Sequence, residues 1–131
     1  MTRLTFITQI IFDHGASQQL AKVLAQHGIQ RPLLCTDLGL VNLGMVEDLT
    51  KVVGNDAALT IFDRTPENPT QAAVEEALAL YREADCDGVV AFGGGSSMDL
   101  AKAVAVSATH QGDLQEFTTE AGGMQKIDAI A

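Results

Sequence analysis

The sequence 88–106, GVVAFGGGSSMDLAKAVAV, contains the turn on which the fold of this chain depends. It begins with an apolar run that predicts a buried strand, whereas the Ala- and Val-rich run 100–106 predicts a helix. Gly93, Gly94 and Gly95 join the two elements. Because glycine lacks a Cβ, such a turn can be sharp and lets a ligand approach the backbone closely. A strand, a glycine turn and a helix in this order predict a phosphate-binding site.

The start of the predicted helix favours an anion. The amides of a first helical turn have no partner within the helix and lie at the positive end of the helix dipole. We predict a helix from Ser97 to about Val106, with Ser96 as its N-cap. Asp99, three residues after Ser96, completes a variant of the capping box.

Three better-known glycine motifs fail at required positions. Met98 stands where the dinucleotide fingerprint G-x-G-x-x-G, started at Gly93, needs its third glycine. The same methionine replaces the last glycine of a nucleophile elbow G-x-S-x-G built on Ser96. A P-loop needs a Gly-Lys pair, which the sequence lacks.

Length and composition limit the function classes. The 131 residues suit one domain, and a hydrophobic content of 47% is enough for a packed core. The net charge of −9 argues against nucleic acid as a partner, because binding its backbone requires clustered Lys and Arg. No apolar run approaches the roughly 18 residues of a membrane span. Cys35 and Cys86 are isolated, and the start of the chain lacks the apolar core of a signal peptide, so we predict a cytoplasmic protein with reduced, mostly buried thiols.

Apolar patterns predict that strands and helices alternate along the chain. The predicted helices carry apolar stripes at i, i+3 and i+4, and Ser17 and Thr70 are the predicted caps of two of them. We predict strands at 4–12 (one or two), 32–35, 58–62 and 88–92, and helices at 17–27, 40–53, 71–84 and 97–106. This order implies an α/β fold, a Rossmann-like and mainly parallel sheet with helices on both faces.

In such a sheet, ligands bind beyond the carboxyl ends of the strands, near a topological switch point. Asp37, the loop 63–69 and the glycine turn all follow predicted strands, so we expect them to meet at one edge. Residues 111–117 predict a short helix, 118–125 a loop and 127–131 a new strand. Because a domain rarely ends where a strand begins, we expect the chain to be a fragment.

The segment Gly93–Asp99 resembles the G-G-G-S-x-x-D segment of the iron-dependent (group III) alcohol dehydrogenases. In that family the glycines and the serine hold the pyrophosphate of a nicotinamide dinucleotide. Cys35–Gly39 resembles the family's strand-end T-D segment, and Pro66–Thr70 resembles its P-x-N-P-T loop. Phe12–Ala16 is similar to the early F-G-x-G-A turn, although Asp13 stands where glycine is usual. The resemblance covers nearly the whole chain, which corresponds to about the first third of a full-length family member.

The resemblance implies that residues 1–131 are a dinucleotide-binding domain and that the helical, metal-binding carboxyl-terminal domain is absent. It implies that main-chain amides of Gly93, Gly94, Gly95 and Ser96 cradle the pyrophosphate. The alternative is a tight strand-to-helix turn without a ligand.

Three further residues have both a ligand role and a local role. Asp37 stands where a carboxylate accepts hydrogen bonds from the adenosine ribose and repels a 2′-phosphate, which favours NAD over NADP, or else it caps the next helix. Asp99 approaches the nicotinamide ribose, as the resemblance implies, or caps its own helix. Asn68 contacts the cofactor or simply forms an Asn-Pro turn.

For the intact protein, the resemblance implies an NAD-dependent alcohol dehydrogenase that uses iron or another divalent metal and acts on an alcohol or aldehyde; it is compatible with a homo-oligomer. We expect no metal site and no catalytic residue in this chain, since His14, His27 and His110 lack ligand spacing. One alternative is a free-standing nucleotide-binding or interaction module. A serine hydrolase using Ser96 is a weaker one, because no His-Asp pair can be assigned to it.

Overall fold

The computed structural model of the protein describes residues 9–117. Strands and helices alternate in this part of the chain, as the sequence predicts. The strands are β1 (Pro32–Cys35), β2 (Thr60–Phe62) and β3 (Gly88–Ala91). The helices are α1 (Leu20–Gln26), α2 (Leu38–Asn42), α3 (Met45–Val53), α4 (Gln71–Glu83) and α5 (Gly95–Thr109), with 3₁₀ turns at Ala16–Gln19 and Leu114–Phe117.

Within the described residues, the three strands form a parallel sheet in the order β2-β1-β3. The central strand β1 pairs with both neighbours, so that Leu34 lies beside Ile61 of β2 and Val90 of β3. All four residues of β1 are buried, which explains its continuous apolar sequence. The predicted α/β class with a parallel sheet is confirmed.

Side chains of β1 alternate between two cores, one on each face of the sheet. Leu33 and Cys35 pack in a cluster with Leu100 of α5 and residues of α4, whereas Leu34 packs with Val46 and Leu49 of α3. Helices therefore cover both faces, as predicted. None of the described helices is both long enough and apolar enough to span a bilayer.

The chain order creates a switch point between β1 and β3. After β1 the chain runs through α2 and α3 on one face to β2, and after β2 it runs through α4 on the other face to β3. Strand β3 then continues into α5, which packs beside α4. Adjacent strands β1 and β3 are thus followed by helices on opposite faces, which opens a crevice at their carboxyl ends.

Several predicted boundaries are wrong. The helix predicted at 40–53 is two helices, because Gly44 lies in the left-handed region at φ +76° and redirects the chain between them. Ser17 does not cap a helix, since it lies inside the 3₁₀ turn. Residues 9–12 of the predicted strand 4–12 have no regular structure, and the second strand begins at Thr60 instead of residue 58. The rest of the first strand lies outside the described residues, as do the loop 118–125 and the strand 127–131.

The cap predicted for α4 is confirmed, and the start of the carboxyl-terminal turn is later than expected. The hydroxyl of Thr70 accepts a hydrogen bond from the Ala73 amide at 3.2 Å. Of the short helix predicted at 111–117, the structure has the 3₁₀ turn Leu114–Phe117.

The edge opposite the crevice is held together by Asp87, which precedes β3. Its carboxylate accepts hydrogen bonds from the backbone amides of Arg31 at 2.7 Å and Gln30 at 3.1 Å, just before β1. Burial by itself would raise the pKa of this carboxyl, but the bonds from the Arg31 and Gln30 amides outweigh that effect and hold the pKa below its ordinary value. Asp87 therefore fixes the amino ends of β1 and β3 to each other.

Candidate functional site

The glycine turn connects β3 to α5 at the switch point. The Phe92 amide donates to the Cys35 carbonyl at 2.9 Å, which extends the pairing with β1 up to the turn. Gly94 has extended backbone and is the N-cap of α5, and the Met98 amide donates to its carbonyl at 3.2 Å. No side chain of the described residues caps this helix, so the amides at its start are available to an anion.

The glycines of the turn serve two different purposes. Gly93 has φ +149°, and a Cβ built on it would lie 2.8 Å from Ser97 Oγ. The turn itself therefore requires glycine at position 93. A Cβ built on Gly94 or Gly95 would meet no atom of residues 9–117 within 4 Å, so packing in this range does not require glycine at either position. The space that those side chains would fill is open to a ligand.

The predicted roles of Ser96 and Asp99 in capping are wrong. Helix α5 begins at Gly95, so Ser96 is inside the helix, and its hydroxyl donates to the Glu67 carbonyl in the loop after β2. Asp99 is too far along α5 to cap it; its exposed carboxylate lies 3.5 Å from Lys102 Nζ. An approach of Asp99 to the nicotinamide ribose stays a prediction.

Asp37 is positioned by a local bond and also faces the glycine turn. It is the N-cap of α2, with Oδ1 accepting from the Leu40 amide at 3.1 Å. Its Oδ2 lies 3.4 Å from the position of a Cβ on Gly93. The prediction that Asp37 caps the next helix is thus confirmed, and the second oxygen of the same carboxylate still lies at the crevice. Its role toward ribose stays a prediction.

Two pockets flank the turn and share Asp37 and Gly94. The α2 pocket has a volume of about 570 Å³ and the loop pocket a volume of about 350 Å³. The α2 pocket is mainly apolar and is lined by Asp37, Gly39, Leu40, Leu43, Met45, Ala91, Phe92, Gly93 and Gly94. The loop pocket is more polar and is lined by Asp37, Thr65, Pro66, Glu67, Gly94, Ser96 and Ser97.

The structure thus brings together Asp37, the glycine turn and the loop after β2, as predicted from their places at strand ends. Asn68 is exposed and lines neither pocket, although its neighbour Glu67 lines one. A contact between Asn68 and a cofactor stays a prediction.

Sequence reasoning missed Thr65 in this loop. Its side chain lines the loop pocket and is only 9% exposed, and its Oγ1 has no hydrogen-bond partner among the described residues. The only local signal is its position after β2 and before Pro66, which indicates a loop but not burial.

The charges at the site restrict what can attract an anion. The titratable side chains that line the two pockets are Asp37 and Glu67, both acidic; in the described part of the chain, no Lys or Arg lines either one. Positive potential at the turn therefore comes from backbone amides and the dipole of α5. Within the described residues, none of the histidines His14, His27 and His110 lines these pockets, so no histidine is placed beside Ser96 and the hydrolase alternative gains no support.

The thiols and acidic groups give no sign of metal chemistry within residues 9–117. No group of three or more His, Cys, Asp or Glu side chains in this range is arranged to hold a metal ion. Burial, reinforced by the nearby Cys86, raises the pKa of the Cys35 thiol to about 12. Burial also raises the pKa of Cys86. Neither thiol supplies a thiolate at neutral pH.

Residues 8–130 match the family described as iron-containing alcohol dehydrogenase. The chain belongs to this family. The matched range includes the glycine turn, Asp37 and the loop after β2, so the resemblance noted from short motifs extends along the chain.

Members of the iron-containing alcohol dehydrogenase family are similar to this chain in sequence and in structure. A 4-hydroxybutyrate dehydrogenase of Cupriavidus necator is 45% identical over 127 residues, 97% of this chain and 33% of that protein. The crystal structure of a 1,3-propanediol oxidoreductase has a TM-score of 0.75 at 33% identity, covering 79% of this chain and 27% of the other. The NADH-dependent butanol dehydrogenase A of Thermotoga maritima has a TM-score of 0.77 at 26% identity, covering 88% and 30% respectively. The chain spans about a third of the length of the curated relatives it matches.

Proposed function

We propose that residues 1–131 are the dinucleotide-binding domain of a cytoplasmic, metal-dependent alcohol dehydrogenase that transfers hydride between an alcohol or aldehyde and NAD. One observation carries the proposal. Within residues 9–117, Gly94 and Gly95 leave open space at the start of α5, whose first amides have no side-chain cap there, at the switch point of a parallel sheet. A diphosphate fits such a site because it accepts several amide hydrogen bonds and needs a backbone without side chains.

The proposed part of this chain in the reaction is positioning. The bound nicotinamide supplies the hydride acceptor or donor, and in the complete protein a divalent ion polarises the substrate oxygen. The amides of Gly95 and Ser96 hold the diphosphate, so that both halves of the cofactor extend from a fixed point. The Ser96 hydroxyl, bonded to the Glu67 carbonyl, holds the loop pocket against the start of α5.

The proposed preference for NAD over NADP depends on Asp37. The carboxylate can accept from the adenosine ribose through Oδ2 while Oδ1 remains bonded to the Leu40 amide. A 2′-phosphate at the same place would meet a carboxylate with no cation among the described pocket-lining residues, and like charges at close range cost affinity.

For the substrate we propose a small alcohol or its aldehyde. Because the 45% identical relative is a 4-hydroxybutyrate dehydrogenase, 4-hydroxybutyrate is the first compound to test with the complete protein, by following NADH formation. A free-standing nucleotide-binding module would instead bind NAD but form no NADH with 4-hydroxybutyrate or with any other small alcohol. We also propose that the complete protein forms a homo-oligomer, which sedimentation would test.

The test of the cradle is NAD binding by calorimetry in the complete protein. Gly94→Val places a side chain where the diphosphate would lie and removes about two charge-assisted hydrogen bonds, about 3 to 6 kcal/mol in total. We expect NAD affinity to fall at least about a hundredfold. Ala72→Val, at an exposed position in the first turn of α4 away from both pockets, is the matched control and should bind NAD normally. Unchanged affinity in Gly94→Val would overturn the proposal.

A further inference from the structure

Two threonines with buried hydroxyls, Thr36 and Thr65, are joined through their backbones at the carboxyl end of β1. The Thr65 amide donates to the Thr36 carbonyl at 3.2 Å. Thr36 is fully buried and Thr65 is 9% exposed, and the Oγ1 of each has no hydrogen-bond partner within residues 9–117. A buried hydroxyl without a partner costs stability that valine, of the same shape, avoids. An unpaired hydroxyl therefore calls for an explanation at both positions.

The two threonines differ in what they adjoin. Thr65 lines the loop pocket together with Asp37 and Gly94, whereas Thr36 lines neither pocket at the turn. A ligand in the loop pocket can therefore satisfy the Thr65 hydroxyl and not the Thr36 hydroxyl. Because Oγ1 of Thr65 is shielded from solvent in the structure, contact with a ligand in the loop pocket requires the Thr65 side chain to rotate to another staggered rotamer.

The chemistry of the loop pocket selects the kind of group that it holds. Asp37 and Glu67 are its titratable linings, and among the residues the structure describes no Lys or Arg joins them. Away from the backbone amides at the start of α5, these carboxylates would repel a phosphate, whereas a neutral group rich in hydroxyls can donate to a carboxylate. A threonine hydroxyl beside a carboxylate suits a pair of adjacent sugar hydroxyls, since it can both donate and accept.

We propose that the Thr65 hydroxyl hydrogen-bonds the adenosine ribose of the dinucleotide, next to the ribose hydroxyl that Asp37 accepts from. This assignment rests on the proposed function and adds a residue to it. The diphosphate then lies at Gly94, which borders the loop pocket, and the ribose lies within that pocket. Thr65 and Asp37 together recognise the two hydroxyls of the ribose.

The test compares Thr65→Val with Thr36→Val in the complete protein. Both changes remove an unpaired buried hydroxyl at nearly constant shape, so neither should lower the thermal unfolding midpoint. We expect Thr65→Val to bind both NAD and ADP about three- to tenfold more weakly in calorimetry, the effect of one neutral hydrogen bond. Thr65→Ser keeps the hydroxyl and should restore both affinities. Thr36→Val should bind both ligands within about twofold of the unaltered protein.

Three results would overturn the inference. Normal binding of NAD and ADP by Thr65→Val would show that the hydroxyl does not contact the ligand. Equal weakening in Thr36→Val would show that the loss is structural. Weaker NAD binding with normal ADP binding would place Thr65 at the other half of the dinucleotide. If Thr65→Val binds both ligands normally but Gly94→Val still loses NAD affinity, the proposed function stands and only the role of Thr65 fails.

Discussion

The adjacent glycines Gly93 and Gly94 should separate the demands of the fold from the demands of the ligand. The perturbation is a single methyl group, in Gly93→Ala and in Gly94→Ala. At position 93 the methyl group would lie 2.8 Å from Ser97 Oγ on a backbone with φ +149°. At position 94 it would meet no described atom within 4 Å, on a backbone with φ −82° that alanine adopts freely.

The expected magnitudes follow from these two geometries. For Gly93→Ala, a disfavoured backbone conformation costs about 1 to 3 kcal/mol, and overpacking against Ser97 adds about 1 to 3 kcal/mol. For Gly94→Ala, alanine is a poorer N-cap than glycine by about 0.5 to 1 kcal/mol. A less flexible unfolded chain adds about 0.4 to 1 kcal/mol of stability, so the two effects nearly cancel. Although Gly94→Ala should be the more stable of the two variants, it should bind NAD more weakly than the unaltered protein, because its methyl group occupies space that the diphosphate needs.

The assay measures both properties on the complete protein: the thermal unfolding midpoint without cofactor, and NAD affinity by calorimetry at a temperature where each variant is folded. We expect Gly93→Ala to lower the midpoint, and Gly94→Ala to keep it and to weaken NAD binding by at least about tenfold. The reasoning would be refuted by a Gly94→Ala protein that binds NAD normally, because the open space would then have no ligand function. A Gly94→Ala protein with a much lower midpoint would refute the packing argument instead.

Three further predictions concern side chains that bond to backbone amides. Asp37→Asn keeps an N-cap for α2 while removing the charge, so kcat/KM with NADP should rise relative to that with NAD at constant stability. Asp37→Ala should change the coenzyme preference in the same direction and also lose about 1 kcal/mol of capping stability. An unaltered coenzyme preference in both variants would show that Asp37 does not discriminate between NAD and NADP. Because folding lowers the pKa of Asp87, its carboxylate stabilises the folded state at any pH above 3.8, the ordinary pKa. This stabilisation is lost as the pH falls through the lower pKa of the folded state. Urea midpoints of Asp87→Asn should therefore lie below those of the unaltered protein at neutral pH and converge with them in acid, while a constant gap would contradict the assignment. Thr70→Ala should cost about 1 kcal/mol by leaving the Ala73 amide without its acceptor, and Thr70→Ser should largely restore it; equal midpoints for all three proteins would show that the cap contributes nothing.

The sequence predicts the parts of the fold that depend on short-range pattern. The apolar residues 32–35 indicate a fully buried strand, and Thr70 precedes a clear helical stripe, so both elements are found where they are expected. The position of Asp37 after β1 is enough to place it at the carboxyl edge of the sheet. Its N-cap bond to the Leu40 amide is equally local, and it is one of the two roles that the sequence leaves open for Asp37.

The errors arise where a distant partner or a backbone conformation decides the outcome. Ser96 has the composition of an N-cap, yet its hydroxyl donates to Glu67, 29 residues away in the chain, and α5 begins at Gly95. The apolar stripe across 40–53 continues through Gly44, so the pattern does not reveal that the backbone reverses there. The burial of Thr65 depends on how the loop after β2 folds back onto β1, which no local pattern contains.

The proposed site binds an anion in a chain whose own charge is −9. The side chains that line its two pockets include Asp37 and Glu67 and, within the described residues, no cation, so side-chain charge opposes the ligand instead of attracting it. Backbone amides provide attraction that does not titrate, and they act only on a group that touches the bare turn. The acidic surroundings then reject any second phosphate that does not reach those amides. In the proposed site, the glycine turn holds the diphosphate that NAD and NADP share, and Asp37 excludes the additional phosphate by which they differ.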